Sequence, residues 1–208
     1  MATTTFSGAV RSQGGFTSVS KNSSTGAFTT LSSISSTGVS SFDANTMAVE
    51  AGTGITGGTG TIYRSSVQRV GGIITTRILI DLTGLRSTAS GDIIGVDGTS
   101  NVCHIGQITA ARNGTILTGS MECFEAPAGG DPDINVHSAT EGTGVEDGAI
   151  SSLTETLLVN AGDATLGSKV YFTAVPAADE FLYLTLGDTT NADYTAGKLF
   201  IELMGYEA

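Results

Sequence analysis

Residues 49–60, VEAGTGITGGTG, contain Gly52-x-Gly54-x-x-Gly57, the spacing of a dinucleotide-binding turn. That chemistry requires a strand, the glycines, and then a helix whose N-terminal amides face the pyrophosphate. TMAVEA can serve as the strand, and Asp81 stands about where a ribose-binding acid falls. After Gly57, however, come Gly58, Gly60 and the β-branched run TIYRSSVQRVGGIITTRILIDL, in which no helix of useful length can start. The segment is read as a loop that holds no cofactor.

Cys103, His104, Cys123 and His137 are the residue types of a zinc set, but structural zinc sites usually use two close ligand pairs. Cys103 and His104 are adjacent, so on a strand they point to opposite faces. The cysteines are read as small buried hydrophobes and free thiols, with no metal. QITAARNGTILTGSMECF predicts a hairpin about Asn113-Gly114. A two-residue loop there sets Cys103 opposite Phe124, and a three-residue loop with a left-handed Gly114 sets it opposite Cys123.

GGDPDINVHSATEGTGVEDG, residues 129–148, gathers five acids among glycines. Asp131, Asp133 and Asn135 mimic the start of a calcium loop, but Val136 occupies the place of the turn glycine and Gly142 that of the bidentate Glu. The stretch is read as a solvated surface loop. No Gly-x-Ser-x-Gly elbow, His-Glu-x-x-His pair or phosphate-binding loop is present, and no carboxylate spacing singles out a nucleophile with its base. The sequence gives no reason to expect an enzyme.

The elements that must carry these residues are strands. Ile78, Ile80 and Leu82 share one face of RILIDL; Val170, Phe172 and Ala174 oppose Lys169, Tyr171 and Thr173; Leu199, Ile201 and Leu203 oppose Lys198 and Glu202. FLYLTLG at 181–187 repeats the two-residue period, and SSLTETLLV at 151–159 is read as strand rather than short helix. Turn signals such as VDGT, RNGT and NAGD separate these runs. The expected fold is all-β, an antiparallel β-sandwich of jelly-roll-like form over residues 46–208, preceded by an extended N-terminal arm at 1–45.

Charged residues are only 14% of the chain, and its net charge is −11, which argues against nucleic acid and anionic membrane as partners. Residues 1–90 hold six Lys/Arg against three Asp/Glu, whereas 91–208 hold three against seventeen, so the two parts suit different neighbours. No apolar run approaches a membrane span, and MATTTFSGAV lacks a secretion signal pattern, so the chain is expected to be made in the cytosol.

Twenty of the first 42 residues are Ser or Thr, and SSTG recurs at 23–26 and 35–38. Such a segment lacks the apolar area to form its own core and is expected to be ordered on another surface. Its start, TTTFSGAVRSQGGFTSVS, resembles the N-termini of tailed-bacteriophage virion proteins, where a TFSG-x-V-R/K-S-x-x-G-F segment opens capsid decoration (cement) and fibre-like proteins. The matching residues are Thr5, Phe6, Ser7, Gly8, Val10, Arg11, Ser12, Gly15 and Phe16, and Ala9 stands where proline is frequent. The match covers under a tenth of the chain.

The resemblance implies a homotrimer on the capsid surface that clamps neighbouring subunits of the major capsid protein. Phe6, Val10 and Phe16 would enter pockets of the shell, while Arg11 and Lys21 meet its carboxylates. The alternative is a tail or fibre module that binds host glycans through Tyr183, Tyr194 and the 188–193 loop. A hydrolase or lyase built on the acids of 131–147 is the third reading.

Overall fold

Asn22 closes the first turn of the chain described by the computed structural model, which covers residues 16–34, 40–42 and 48–207. Its Oδ1 accepts from the amides of Ser24 and Thr25 at 2.8 and 2.9 Å, an Asx turn that fixes the first SSTG copy as a hairpin loop. Strands β1 (Phe16–Lys21) and β2 (Phe28–Ile34) run antiparallel on either side of it. Strand β3 (Ser40–Phe42) pairs with β2, giving the order β1-β2-β3. The second SSTG copy falls between β2 and β3, outside the described residues. The stretch 16–42, expected as part of one extended arm, is thus a three-stranded meander, because Asn22 turns the chain back on itself. Residues 1–47 and 48–208 form two separate compact units.

In the second unit, two antiparallel sheets pack together as a sandwich. One contains β4 (Ile62–Val70), β5 (Ile73–Asp81), β8 (Thr115–Ala128), β11 (Lys169–Tyr171) and β14 (Ala196–Tyr206), in the order β11-β8-β14-β5-β4. The other contains β7 (Gly106–Gln107), β9 (Ile134–Ala139), β10 (Glu155–Val159) and β12 (Phe181–Leu186), in the order β10-β9-β12-β7. A two-stranded ribbon joins β6 (Arg86–Ser87) to β13 (Ala192–Asp193).

Four of these pairings are nested along the sequence: β5 with β14, β7 with β12, β8 with β11, and β9 with β10. From β5 onward the chain changes sheet at every step except the innermost hairpin, β9 to β10. The outermost strands of this nest, β5 and β14, lie side by side.

The two sheets differ in how they are covered. β14 alternates strictly and β5 does so up to Ile80, with Leu199, Ile201, Leu203, Ile74, Ile78 and Ile80 buried; Asp81, at the end of β5, is buried too. β9 is buried at all six positions and β12 at five of six, so the centre of the four-stranded sheet is covered on both faces. Part of that cover is the glycine-rich segment 141–144. A Cβ on Gly142 would meet the Phe181 ring at 2.7 Å, and one on Gly144 the Tyr183 ring at 2.8 Å. Glycine lets the backbone lie directly on the two rings.

Two expectations fail here. Residues 134–139, read as solvated loop, are a central buried strand. The Asn113-Gly114 pair makes no hairpin, since β7 and β8 lie in different sheets and Ala110–Asn113 is a helical turn, α2. Thr109 caps it by accepting from the Arg112 amide, and Gly114, at φ 68° and ψ −157°, ends it in a conformation that only glycine adopts readily. Both cysteine registers built on that hairpin fall with it. In the 151–159 stretch, Ile150–Ser152 is a 3-10 turn and Glu155–Val159 is strand.

Candidate functional site

Of the residues expected to grip a shell, Phe6, Val10 and Arg11 lie outside the described residues. Phe16 and Lys21 are at the two ends of β1. The small sheet leaves three large apolar side chains open: Phe16 at 46%, Val19 at 47% and Phe28 at 68%. Lys21 stands opposite Phe28 in register, with Nζ 5.7 Å from the centre of its ring, a cation–π contact. The sheet thus pairs one exposed aromatic ring with a cation and carries no acid among its described residues.

The glycine fingerprint forms a single helical turn, α1 (Thr53–Thr56). The amides that would face a phosphate are already engaged, Gly52 N donating to His104 O at 2.8 Å and Gly54 N to Val102 O at 2.9 Å. A Cβ on Gly52 would fall 2.1 Å from Val102 O, and one on Gly54 would fall 2.4 Å from Cys103 Sγ. The glycines serve close packing against residues 101–103. The one-turn helix itself was not expected from sequence.

Cys103, His104, Cys123 and His137 are not brought together. Among the described residues no group of three or more His, Cys, Asp or Glu side chains is placed to hold a metal ion. Both cysteines are buried free thiols, Cys103 donating to Asn101 O and Cys123 to Glu125 O. Burial pushes the Cys103 thiol up to about 12. His104 packs on Phe181, with ring centres 5.0 Å apart, and burial holds its imidazole below the ordinary range. His137 Nδ1 is 2.7 Å from Glu155 Oε2.

The acids of 131–147 are dispersed. Asp131 is buried and accepts from the amides of Asp133 and Thr190 at 2.9 Å each, tying the entry of β9 to the loop before β13. Burial raises the Asp133 carboxyl, and Asp131, Asp163 and Asp188 add to the effect. Glu146 is only 8% exposed, with Oε1 unpartnered among the described residues. Tyr183 and Tyr194, expected to meet glycans, are buried, their hydroxyls donating to Glu141 O at 2.7 Å and Asp131 O at 2.8 Å. They belong to the core because each finds a backbone acceptor for its one polar atom.

The outer face of the five-stranded sheet is the half-open surface of this unit. Phe124 and Phe200 stack on it, with ring centres 5.1 Å and planes 9° apart. Ion pairs cross it: Arg77 Nε to Glu202 Oε2 at 2.8 Å, Lys169 Nζ to Glu122 Oε2 at 3.5 Å, and Lys198 to both Asp81 and Glu125. Sequence reading placed Lys169, Tyr171 and Glu202 outward. It did not place Ser120 and Thr118 between them, because the β11–β8 and β8–β14 pairings join distant parts of the chain.

No protein-family model, curated protein or solved structure matches this chain. Among the described residues no helix is long and apolar enough to cross a membrane.

Proposed function

We propose that the chain is a non-enzymatic structural protein of a tailed-phage virion, which binds the outer capsid surface as a homotrimer and cements neighbouring major capsid protein subunits. The observation that carries this reading is the N-terminal unit. It is a compact unit distinct from the sandwich, and it exposes Phe16, Val19 and Phe28, the last paired with the cation Lys21. Exposed apolar groups of this size on a small sheet mark a surface meant for a partner. The resemblance of residues 5–16 to virion proteins supplies the class of partner.

The nested strand pairing adds support by analogy. We read its nested strand order as a jelly roll, an architecture shared by viral capsid and lectin domains. The acidic second unit then faces solvent, where its charge keeps virions from adhering to one another. The site of action is the virion surface, after synthesis in the host cytoplasm.

Co-sedimentation with empty heads tests the proposal. The full chain is expected to pellet with heads, and a chain lacking residues 1–20 to stay in the supernatant with its β-sheet circular dichroism unchanged. Undiminished pelleting of the shortened chain would overturn the N-terminal unit as the anchor. With Tyr183 and Tyr194 buried, the glycan-binding alternative loses the aromatic residues first assigned to it.

A further inference from the structure

The half-open sheet face contains a trough whose origin is the side-chain size along β8. Thr118, Gly119 and Ser120 are small, and in register they lie between larger residues: Tyr171 stands opposite Ser120 on one side and Glu202 on the other, while Met204 stands opposite Thr118. The result is a depression of about 220 Å³ lined by Thr118, Ser120, Lys169, Tyr171, Glu202 and Met204. That volume suits one hexose ring and is too small for a drug-sized ligand.

Its chemistry is specific. Tyr171 is 67% exposed, far more than an aromatic ring with a core role, and its ring stands at the rim with the Lys169 ammonium 5.9 Å from its centre. Among the described residues, the hydroxyls of Thr118, Ser120 and Tyr171 make no hydrogen bond to protein, and Glu202 accepts only through Oε2. The charges at the rim are matched, Lys169 with Glu122 and Glu202 with Arg77, so the trough has no net charge to attract an ion. An aromatic platform beside unpaired hydroxyls and one free carboxylate oxygen is what a neutral sugar ring requires. Its C–H face stacks on the aromatic ring, and its hydroxyls both donate and accept.

We propose that this trough is a binding site for a single neutral pyranose unit, with Tyr171 as the stacking platform and Ser120 and Glu202 as hydrogen-bonding partners. The site is independent of the capsid-anchoring reading, which concerns the other unit. It places saccharide recognition on residues that none of the sequence-based expectations named for that purpose.

The test is amide chemical-shift mapping on the full chain with the methyl glycosides of glucose, galactose, mannose and N-acetylglucosamine. At least one is expected to give saturable shifts at Thr118, Ser120, Tyr171 and Glu202 with a Kd of about 1–10 mM. Tyr171→Ala should weaken that binding roughly tenfold, and Tyr171→Phe, which keeps the ring, should retain most of it. Because Tyr171 is exposed, both variants are expected to keep the remaining spectrum. Absence of saturable shifts with all four sugars, shifts confined to other regions, or equal binding by Tyr171→Ala would each overturn the site.

Discussion

Asn113 donates from Nδ2 to the Thr76 hydroxyl at 2.7 Å, while its Oδ1 accepts from the Thr109 amide at 2.9 Å. Both Asn113 and Thr76 are buried. One side chain thus ties the helical turn at 110–113 to strand β5 and supplies the turn with an acceptor for its own entry. Asn113→Ala leaves the half-buried Thr109 amide without its acceptor and the buried Thr76 hydroxyl without its donor, and is expected to cost about 2–3 kcal/mol. Urea unfolding checks this: the midpoint should fall while the slope stays constant.

Gly114→Ala should be at least as damaging. An added Cβ would sit 2.2 Å from Tyr206 O, on backbone with φ 68°. Relief requires shifting the end of β14, so a loss of about 3 kcal/mol or more is expected. A melting temperature within a degree or two of the parent protein would refute this account of the turn.

Tyr183→Phe removes a hydroxyl that donates to Glu141 O at 2.7 Å and accepts from Gly144 N at 3.2 Å. The expected loss is about 1–3 kcal/mol, since the Gly144 amide is left without an acceptor. Sugar binding at the Tyr171 trough, measured by the same shift mapping, should be unchanged. That outcome separates a core tyrosine from a contact one.

Both thiols should resist modification in the native protein. Cys103 and Cys123 are buried, and burial raises both thiols above their ordinary range. An aromatic disulfide reagent at pH 8 is expected to label neither cysteine at once and both immediately in urea. Slow native labelling at the rate of local opening agrees with the structure, whereas instant native labelling does not.

Glu146 and Asp81 should shift stability with pH in opposite senses. Burial raises the Glu146 carboxyl, with Asp147 and Asp97 adding and the Gly98 amide and Arg86 opposing. The fold therefore prefers its protonated form, and that contribution is full below the ordinary carboxylate range and lost as pH rises through the raised value. Glu146→Gln should stabilise the protein at pH 8, with the gain shrinking towards pH 4.5. Burial also pushes the Asp81 carboxyl up, but hydrogen bonds from Thr83 and Lys198 prevail and hold it below the ordinary range. Its contribution is present above that range and lost as pH falls, so Asp81→Asn should be destabilising at pH 7 and nearly neutral in acid. Melting curves of the two variants from pH 3 to 8 test both signs.

Most of the strands legible in the sequence had one face open; β12, buried at five of six positions, was read from its two-residue period as well. Leu199, Ile201 and Leu203 alternate with polar neighbours because β14 has an inner and an outer side, and the same holds for Ile78 and Ile80. β9 was hidden because it is covered on both sides yet carries Asn135, His137 and Ser138. Two of these find partners in the Ala161 amide and Glu155, so polarity there does not mean exposure. Tyr183 and Tyr194 misled for the same reason. The Tyr171 trough was invisible because its floor and rim come from strands far apart in the chain. The Asn-Gly pair was a true turn signal, but it was used to end a helical turn.

The nested pairing also bears on how the sandwich is completed. Its outermost partners, Asp81 and Lys198, can meet only after everything between them has been made. Loop closure on that scale makes refolding slow, on the order of milliseconds to seconds. A nascent chain halted before β14 would display two unzipped flanks, on β5 and β8, and so invite aggregation. β14, made after both of its neighbours, is the strand that closes the gap between them.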